Sequence, residues 1–282
     1  MPRFRRRKTR SALSQQAFHR ILPNLATIAA LCVGMSSVRF ALNAQWEMAV
    51  TMIILAGILD GMDGRLARML GCTSRFGANL DSLSDFMSFG AAPAIILYLF
   101  CLNTLGGLGW AVVLVFAVCM SLRLARFNVQ MDTPSPVMVL RSSFSTGVPA
   151  PAAAVLALSP LMMWLDHQFV LAKEPIFVGG VALVVAGLMI SRLPTYLFKT
   201  LTVSQGTMIL LLPLGAMVTA GLMSAPWRTL LVLCGVYICL IPYSTLRFYQ
   251  QKKALLEKVY PSDFKKPGRQ ASGEPDELTL SK

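Results

Sequence analysis

The chain has 282 residues, of which 55% are hydrophobic and only 14% are charged. Soluble globular domains carry about 25% charged residues, so this composition excludes an ordinary soluble enzyme and is typical of a membrane protein. The formal net charge of +13 then raises the question of where the basic residues lie along the chain.

The first 20 residues form a basic arm, MPRFRRRKTRSALSQQAFHR. The arm resembles the start of a signal peptide, but no small-residue cleavage signature follows the apolar residues 21–31, and further apolar runs come later. We therefore predict a retained membrane segment, preceded by a cytoplasmic arm that sets the topology. Adhesion of this arm to anionic lipid headgroups is an alternative role.

Eight apolar runs follow, each near the length of about 20 residues that crosses the hydrocarbon core. They occupy about 22–42, 46–66, 83–103, 107–127, 147–166, 175–194, 206–224 and 227–248. Several runs lie close together, so seven spans is the alternative. Residues 251–282 are polar and rich in Pro, Gly and charge, which predicts a disordered tail.

The basic residues concentrate in alternate connections. The arm, the tail and the connections after the second, fourth and sixth runs are basic, whereas the opposite connections hold only Arg39, Lys173 and Arg228. This bias predicts that both termini are cytoplasmic, which requires an even number of spans. The predicted fold is an all-α, polytopic bundle of about eight spans, with an arm (1–20), a transmembrane catalytic domain (21–250) and a cytoplasmic tail (251–282).

Four of the 13 acidic residues fall where the second run ends and the third begins, in LDGMDGRLARMLGCTSRFGANLDSLSDF. Asp60 and Asp63 stand three apart, and Asp81 and Asp85 stand four apart, so each pair shares one helix face. The second run ends and the third begins on the cytoplasmic side, joined by a short loop containing Gly71. The two acidic faces are therefore predicted to lie at a similar depth, where they can meet.

Carboxylates at such close range repel one another unless positive charge lies between them. Oxygen-only ligands suit magnesium, manganese or calcium, and acidic residues within membrane spans are functional candidates. A divalent metal centre is the favoured interpretation, and salt bridges from Arg65, Arg68 and Arg75 are the structural alternative. The six scattered cysteines, without a C-x-x-C pair, and the two histidines indicate neither a zinc site nor a disulfide framework.

Two glycines continue the same helix rows. Gly64 lies between Asp60 and Arg68 at intervals of four residues, and Gly77 precedes Asp81 by four. A helical glycine costs about 1 kcal/mol relative to alanine, so both glycines suggest close approach of a bulky group. That group is either a packed neighbouring helix or a diphosphate held by metal ions, for which Arg68 offers a planar donor fork.

These residues match a family pattern, D-x-x-D-G-x-x-A-R, eight residues, then G-x-x-x-D-x-x-x-D, without departure. The fixed positions are Asp60, Asp63, Gly64, Ala67, Arg68, Gly77, Asp81 and Asp85. The chain therefore resembles the CDP-alcohol phosphatidyltransferase family.

The resemblance implies a role for each residue. Asp60, Asp63 and Asp81 would be ligands of a two-metal centre, and Asp85 would be both a ligand and the base that deprotonates the acceptor alcohol. The ions would be Mg²⁺ or Mn²⁺, with Ca²⁺ as an inhibitor or substitute. Residues that bind the nucleotide and donor would be Gly64, Ala67, Arg68, Thr73 and Gly77. A homodimer is also implied.

Further stretches resemble the bacterial, membrane-embedded branch of this family whose acceptor is L-serine. In chain order they are LPNLAT, LDSLSDFMSFGAAPA, SLRLARFN, FSTGVPAPAAA and SRLPTYLFK. The resemblance covers most of residues 20–250 and omits the arm and the tail. Asn24 and Thr27, in the first stretch, could contact the nucleotide, and a helix start is the structural explanation for them.

Serine carries a carboxylate, which needs a cation when it is desolvated. Arg123 and Arg126 lie at the cytoplasmic end of the fourth run, in an R-x-x-R-x-N cluster that ends at Asn128. Arg192 and Lys199 flank the end of the sixth run. These residues are candidates for binding the acceptor or the lipid phosphate, and interfacial topology residues are the alternative.

The expected reaction is direct transfer of a phosphatidyl group from CDP-diacylglycerol to L-serine, with release of CMP. The enzyme would lie in the bacterial inner membrane, with its site open to the cytoplasm and the acyl chains leaving sideways into the bilayer. Alternatives are another acceptor, such as glycerol 3-phosphate or an inositol phosphate, and a cation- or proton-coupled transporter that uses the aspartates as a relay. No nucleic acid partner is expected.

Overall fold

The computed structural model describes residues 5–69, 74–132, 144–167, 169–191, 194–196 and 205–259. Within these ranges the chain forms a series of helices. They are α1 (Arg5–Leu42), α2 (Trp46–Met69), α3 (Arg75–Asp85), α4 (Ala92–Phe100), α5 (Gly107–Asp132), α6 (Ala150–Ala157), α7 (Ser159–His167), α8 (Pro175–Ile190), α9 (Gln205–Ser224) and α10 (Pro226–Val259). A π-helical turn at Phe86–Ala91 joins α3 to α4, and 3₁₀ turns lie at Leu102–Leu105 and Val170–Lys173.

Each predicted apolar run lies mainly in one helix or in a series of consecutive helices, so the predicted helical class is confirmed. Two runs extend past their helices: the run at 147–166 begins three residues before α6, and α8 ends at Ile190, before the end of the run at 175–194. Three stretches of the described residues are long and apolar enough to cross a membrane: Asn24–Leu42, Arg75–Phe100 and Gly107–Val129. Shorter apolar helices follow at Pro175–Ile190, Leu212–Ser224 and Pro226–Pro242. Residues 251–259 of the predicted disordered tail continue α10, so the prediction of disorder is wrong there. The rest of the tail lies outside the described residues.

One element of the structure was not predicted. Strands β1 (Phe144–Thr146) and β2 (Pro194–Tyr196) pair antiparallel, with Phe144 opposite Tyr196. The pair brings the segment before α6 next to the segment after α8, and β2 lies against α10. Strands of this length show too little alternation of polar and apolar residues to be detected from sequence.

Small residues allow the helices around the aspartates to approach closely. α1 packs along α2 and also contacts α3 and α4. A Cβ atom added to Gly34 of α1 would collide with Ser88 in the π-helical turn, and one added to Gly90 would lie 2.9 Å from Met120 Cγ in α5. These contacts fix the turn between α1 and α5, and with it the position of α3.

Aromatic rings mark the end of the bundle opposite the aspartates. The ring of Phe100, at the end of α4, lies 5.4 Å from that of Trp46 and 5.6 Å from that of Trp164. Trp46 precedes Asp60 along α2 by about 21 Å, at 1.5 Å of rise per residue. Tryptophans are enriched at membrane–water interfaces, so these rings are suited to the boundary away from the aspartates.

Candidate active site

The two acidic helices meet at the end where α2 finishes and α3 begins. One carboxylate oxygen from each of Asp60, Asp63 and Asp81 lies within 4.8 Å of the other two. The N-terminus of α3 is fixed by Ser74, whose Oγ accepts a hydrogen bond of 3.0 Å from the Gly77 amide. The local cause of the cluster is therefore two helix faces with acidic side chains three and four residues apart, brought to one depth by a short connection.

Asp63 is the most deeply buried of these three aspartates, with 4% of its surface exposed. Its carboxylate accepts hydrogen bonds from the Thr27 hydroxyl of α1 and from the Gly64 amide. Its Oδ2 atom is buried and has no hydrogen-bond partner among the described residues. That oxygen is available to a ligand at the cluster.

Asp85 adjoins the cluster from the next turn of α3. Its carboxyl group is in hydrogen-bonding contact with that of Asp60, and its other charged neighbours are Asp81 and Arg123 of α5. Its Oδ1 atom is buried and lacks a hydrogen-bond partner within the described part of the chain. Asp85 thus lies between the acidic cluster and a buried arginine.

This donor set fits a hard divalent cation. The converging ligand atoms are all carboxylate oxygens, which Mg²⁺, Mn²⁺ and Ca²⁺ prefer. Two of the four aspartates also present a buried oxygen that no described residue satisfies, and buried polar atoms normally have a partner. Positive charge between the carboxylates would supply both the missing partner and relief of their mutual repulsion.

The glycines of the family pattern lie beside this cluster. A Cβ atom at Gly77 would lie 3.1 Å from Asn24 Oδ1 and 3.1 Å from Ser74 Oγ, so the absence of a side chain lets α1 approach α3. Gly64 and Ala67 belong to α2, as does the backbone of Arg68. The side chains of Ala67 and Arg68, and the whole of Thr73, lie outside the described residues.

Asn24 and Thr27 do not start a helix. α1 begins at Arg5 and runs through both residues, so the helix-start explanation for them is wrong. Asn24 faces Gly77 of α3, and Thr27 faces Asp63 of α2. Their polar side chains in an apolar helix are explained by these neighbours instead.

Asn128 connects α5 to the acidic helix. Its Nδ2 atom donates a hydrogen bond of 3.0 Å to Ser82 Oγ, next to Asp81. From its sequence context, Asn128 is predicted to bind the acceptor or the lipid phosphate. In the structure its side chain is hydrogen-bonded to α3. No sequence signal pointed to Ser82, because the contact depends on how α5 packs against α3.

The two arginines of α5 have different surroundings. Arg123 faces Asp85 and Tyr237 of α10, and its buried Nε and Nη1 atoms have no hydrogen-bond partner among the described residues. Arg126 instead donates from Nη1 to the carbonyl oxygen of Ile190, at 2.8 Å. Ile190 ends α8, where backbone carbonyls lack helical partners and a cation is favourable. Arg192 and Lys199 lie outside the described residues.

Gly147 holds the same end of α8 from the other side. Its φ of +80° is in the left-handed region, and a Cβ atom there would lie 2.5 Å from the Met189 carbonyl oxygen. A side chain is therefore disfavoured both by backbone conformation and by space. Arg126 and Gly147 thus both contact backbone carbonyls at the C-terminus of α8, near β2.

An apolar groove of about 320 Å³ lies between α2, α6 and α10. Its lining includes Gly57 and Ile58 of α2, Val155 of α6, and Leu233 and Tyr237 of α10. Gly57 precedes Asp60 by three residues and so shares its face of α2, and Tyr237 is an electrostatic neighbour of Arg123. The groove therefore adjoins the acidic centre on its apolar side.

These features are those of a helical membrane protein with a carboxylate cluster suited to metal ions, a buried arginine and an adjoining apolar groove. The combination suits a lipid with an anionic head group. The family model described as CDP-alcohol phosphatidyltransferase matches residues 20–241. The chain belongs to the CDP-alcohol phosphatidyltransferase family, and the resemblance seen in its sequence is confirmed.

Several curated proteins are similar to this chain over most of its length. A CDP-diacylglycerol–serine O-phosphatidyltransferase of Mycobacterium leprae is 37% identical over 246 residues, covering 85% of this chain and 78% of the relative. A protein of the same name from Mycobacterium tuberculosis is 36% identical over 233 residues, covering 79% of this chain and 78% of the relative. The Helicobacter pylori (strain J99) protein of that name is 34% identical over 221 residues, covering 77% of this chain and 88% of the relative.

Proposed function

We propose that this protein transfers a phosphatidyl group from CDP-diacylglycerol to the hydroxyl group of L-serine, giving phosphatidylserine and CMP. The acidic centre carries the proposal: oxygens of Asp60, Asp63 and Asp81 converge within 4.8 Å, and Asp85 contacts them. The chain belongs to a family of phosphatidyltransferases, and relatives at 34–37% identity bear the name of the serine activity.

In the proposed step one bond forms and one breaks. The serine hydroxyl oxygen attacks the phosphorus that carries the diacylglycerol, and the bond from this phosphorus to the bridging diphosphate oxygen breaks, so that CMP leaves. Asp85 accepts the proton of the serine hydroxyl, since its carboxyl group lies beside both the acidic cluster and Arg123. General bases of this kind contribute about 10²–10⁴-fold to rate.

The four aspartates would hold two divalent ions. Mg²⁺ or Mn²⁺, when bound, supplies positive charge to the diphosphate and to the charge that develops at the attacked phosphorus. Asp60, Asp63 and Asp81 offer ligand oxygens, and Asp85 offers its second oxygen. By the family pattern, Gly64, Ala67, Arg68 and Gly77 bind the nucleotide and diphosphate, and Thr73, between Arg68 and Gly77 in the sequence, is a further candidate.

Arg123 is the proposed partner of the serine carboxylate. It is buried beside Asp85, and two of its nitrogens are without a hydrogen-bond partner among the described residues. A serine bound there would have its carboxylate near Arg123 and its hydroxyl near Asp85. Arg126 is less suited to this role, because it already bonds the end of α8.

The groove between α2, α6 and α10 is the proposed path of the donor's acyl chains. Mainly apolar side chains line it, and its lining includes Gly57, one turn before Asp60 in α2, and Tyr237, the neighbour of Arg123. A lipid could then keep its tails in the groove while its diphosphate reaches the aspartates. The enzyme would be a multi-pass inner-membrane protein of about eight spans, with both termini and the site at the cytoplasmic face. The homodimer is proposed from family resemblance alone.

The test is a panel of acceptor alcohols with the purified enzyme in detergent and CDP-diacylglycerol as donor. CMP release and the lipid product are measured with L-serine, glycerol 3-phosphate or an inositol phosphate. The proposal expects CMP release matched by phosphatidylserine formation with serine. Matched release with one of the other alcohols would reassign the acceptor, and the absence of CMP release with every alcohol would overturn the transferase activity.

A further inference from the structure

Thr27 is a buried polar residue of α1 that contacts both acidic helices. It is 4% exposed, and its hydroxyl donates a hydrogen bond to the Asp63 carboxylate of α2. Its backbone carbonyl oxygen accepts a hydrogen bond of 3.3 Å from Ser84 Oγ of α3. One residue of α1 therefore touches the helices that supply all four aspartates.

The orientation of Asp63 depends on such a partner. A carboxylate on a helix can rotate about its side-chain bonds, and the two described hydrogen bonds to it come from Thr27 and from the adjacent Gly64 amide. The Gly64 amide belongs to α2, whereas Thr27 reaches Asp63 from another helix. With these bonds in place, the buried Oδ2 atom remains for a ligand.

We infer that Thr27 is a positioning residue, which holds the Asp63 carboxylate in the orientation that a divalent cation requires. This inference rests on the metal centre of the proposed function. Hydrogen-bond partners behind metal ligands typically change metal affinity by about 10–100-fold when they are removed. In this role Thr27 acts through Asp63 and not as a ligand.

Mn²⁺ binding to the purified full-length protein, without lipid or serine, tests this role. The free Mn²⁺ signal is followed by electron paramagnetic resonance during titration of wild type, Thr27→Val and Thr27→Ser. Thr27→Val keeps the shape of the side chain and removes the hydroxyl, so it should weaken Mn²⁺ binding about 10–100-fold. Thr27→Ser keeps the hydroxyl and should restore most of the affinity.

Thr51→Val is the matched control. Thr51 lies in α2, and its hydroxyl donates a hydrogen bond of 2.7 Å to the Glu47 carbonyl oxygen of the same helix. It precedes Asp60 by about two and a half helical turns. Its replacement should leave Mn²⁺ affinity within about twofold of wild type, well below the 10–100-fold change expected when a ligand loses its hydrogen-bond partner. If Thr27→Val is not recovered as a folded protein, Thr27→Ala compared with Thr27→Ser isolates the same hydroxyl.

Asp81→Asn separates failure of this inference from failure of the proposed centre. If Asp81→Asn loses Mn²⁺ and Thr27→Val binds it as wild type does, Thr27 has no positioning role while the centre stands. If Asp81→Asn binds Mn²⁺ as wild type does, the centre itself is misassigned and the inference falls with it. Loss of affinity in both variants, with recovery in Thr27→Ser, is the expected result.

Discussion

Replacing Arg123 by lysine tests the proposed acceptor site. Lysine keeps the positive charge beside Asp85, but its ammonium group cannot reproduce the planar donor fork of a guanidinium. Arg123 has two buried nitrogens without a hydrogen-bond partner among the described residues, so a substrate carboxylate can use at least one of them. A hydrogen bond to a charged group contributes about 1.5–3 kcal/mol, which corresponds to an increase of about 10- to 100-fold in the KM for serine.

The assay measures steady-state phosphatidylserine formation while serine and CDP-diacylglycerol are varied separately. Arg123→Lys should raise the KM for serine and change that for CDP-diacylglycerol much less. Arg126→Met is the companion variant: it removes the donor to the Ile190 carbonyl oxygen, and it should lower the melting temperature with little change in the KM for serine. A loss of donor affinity in Arg123→Lys, with serine affinity intact, would refute this assignment and indicate lipid phosphate as the ligand.

Three other changes probe the chemistry, the fold and the lipid path. Asp85→Asn should lower kcat by about 10²–10⁴-fold with little change in CDP-diacylglycerol binding, and the opposite pattern in steady-state kinetics would move the base elsewhere. Gly147→Ala should cost at least about 1–2 kcal/mol from its left-handed backbone and lower the melting temperature. In Gly187→Ala the added Cβ meets no described atom within 4 Å, so this control should not lower the melting temperature. Equal melting temperatures of the two variants would contradict the role of Gly147 at the end of α8. Val155→Trp, in the groove, should raise the KM for long-chain CDP-diacylglycerol about tenfold, which corresponds to about 1.4 kcal/mol of binding free energy. It should raise the KM for a dihexanoyl analogue much less. The exposed Val232→Trp should change neither, and equal effects of both tryptophans would remove the groove from the lipid path.

The acidic centre was predictable because its geometry is local to two helices. Intervals of three and four residues set Asp60 beside Asp63 and Asp81 beside Asp85, and a short connection fixed both pairs at one end. The helical class followed from apolar runs of sufficient length. Neither inference required knowledge of how distant segments pack.

Thr27, Arg123 and Arg126 were candidates from the sequence, but their contacts around the centre were not predictable, because these contacts are made by packing between distant parts of the chain. The bond from Ser84 to Thr27 spans 57 positions, and that from Arg126 to Ile190 spans 64. Arg123 and Arg126 lie within one turn of α5, so only the rotation of that helix decides which one faces Asp85. That rotation depends on contacts such as that between Gly90, in the π-helical turn, and Met120 of α5. The π-helical turn has no sequence signature.

The dependence of serine transfer on divalent metal at the aspartates is the central claim. Purified enzyme treated with a chelator is supplied with CDP-diacylglycerol and labelled L-serine, and phosphatidylserine and CMP are quantified before and after Mg²⁺ or Mn²⁺ is restored. The proposed centre requires no transfer in chelator, and equal amounts of CMP and phosphatidylserine once metal returns. The same addition should not activate Asp60→Asn. Transfer that persists undiminished in chelator, or that Asp60→Asn supports as well as wild type, would contradict the metal centre.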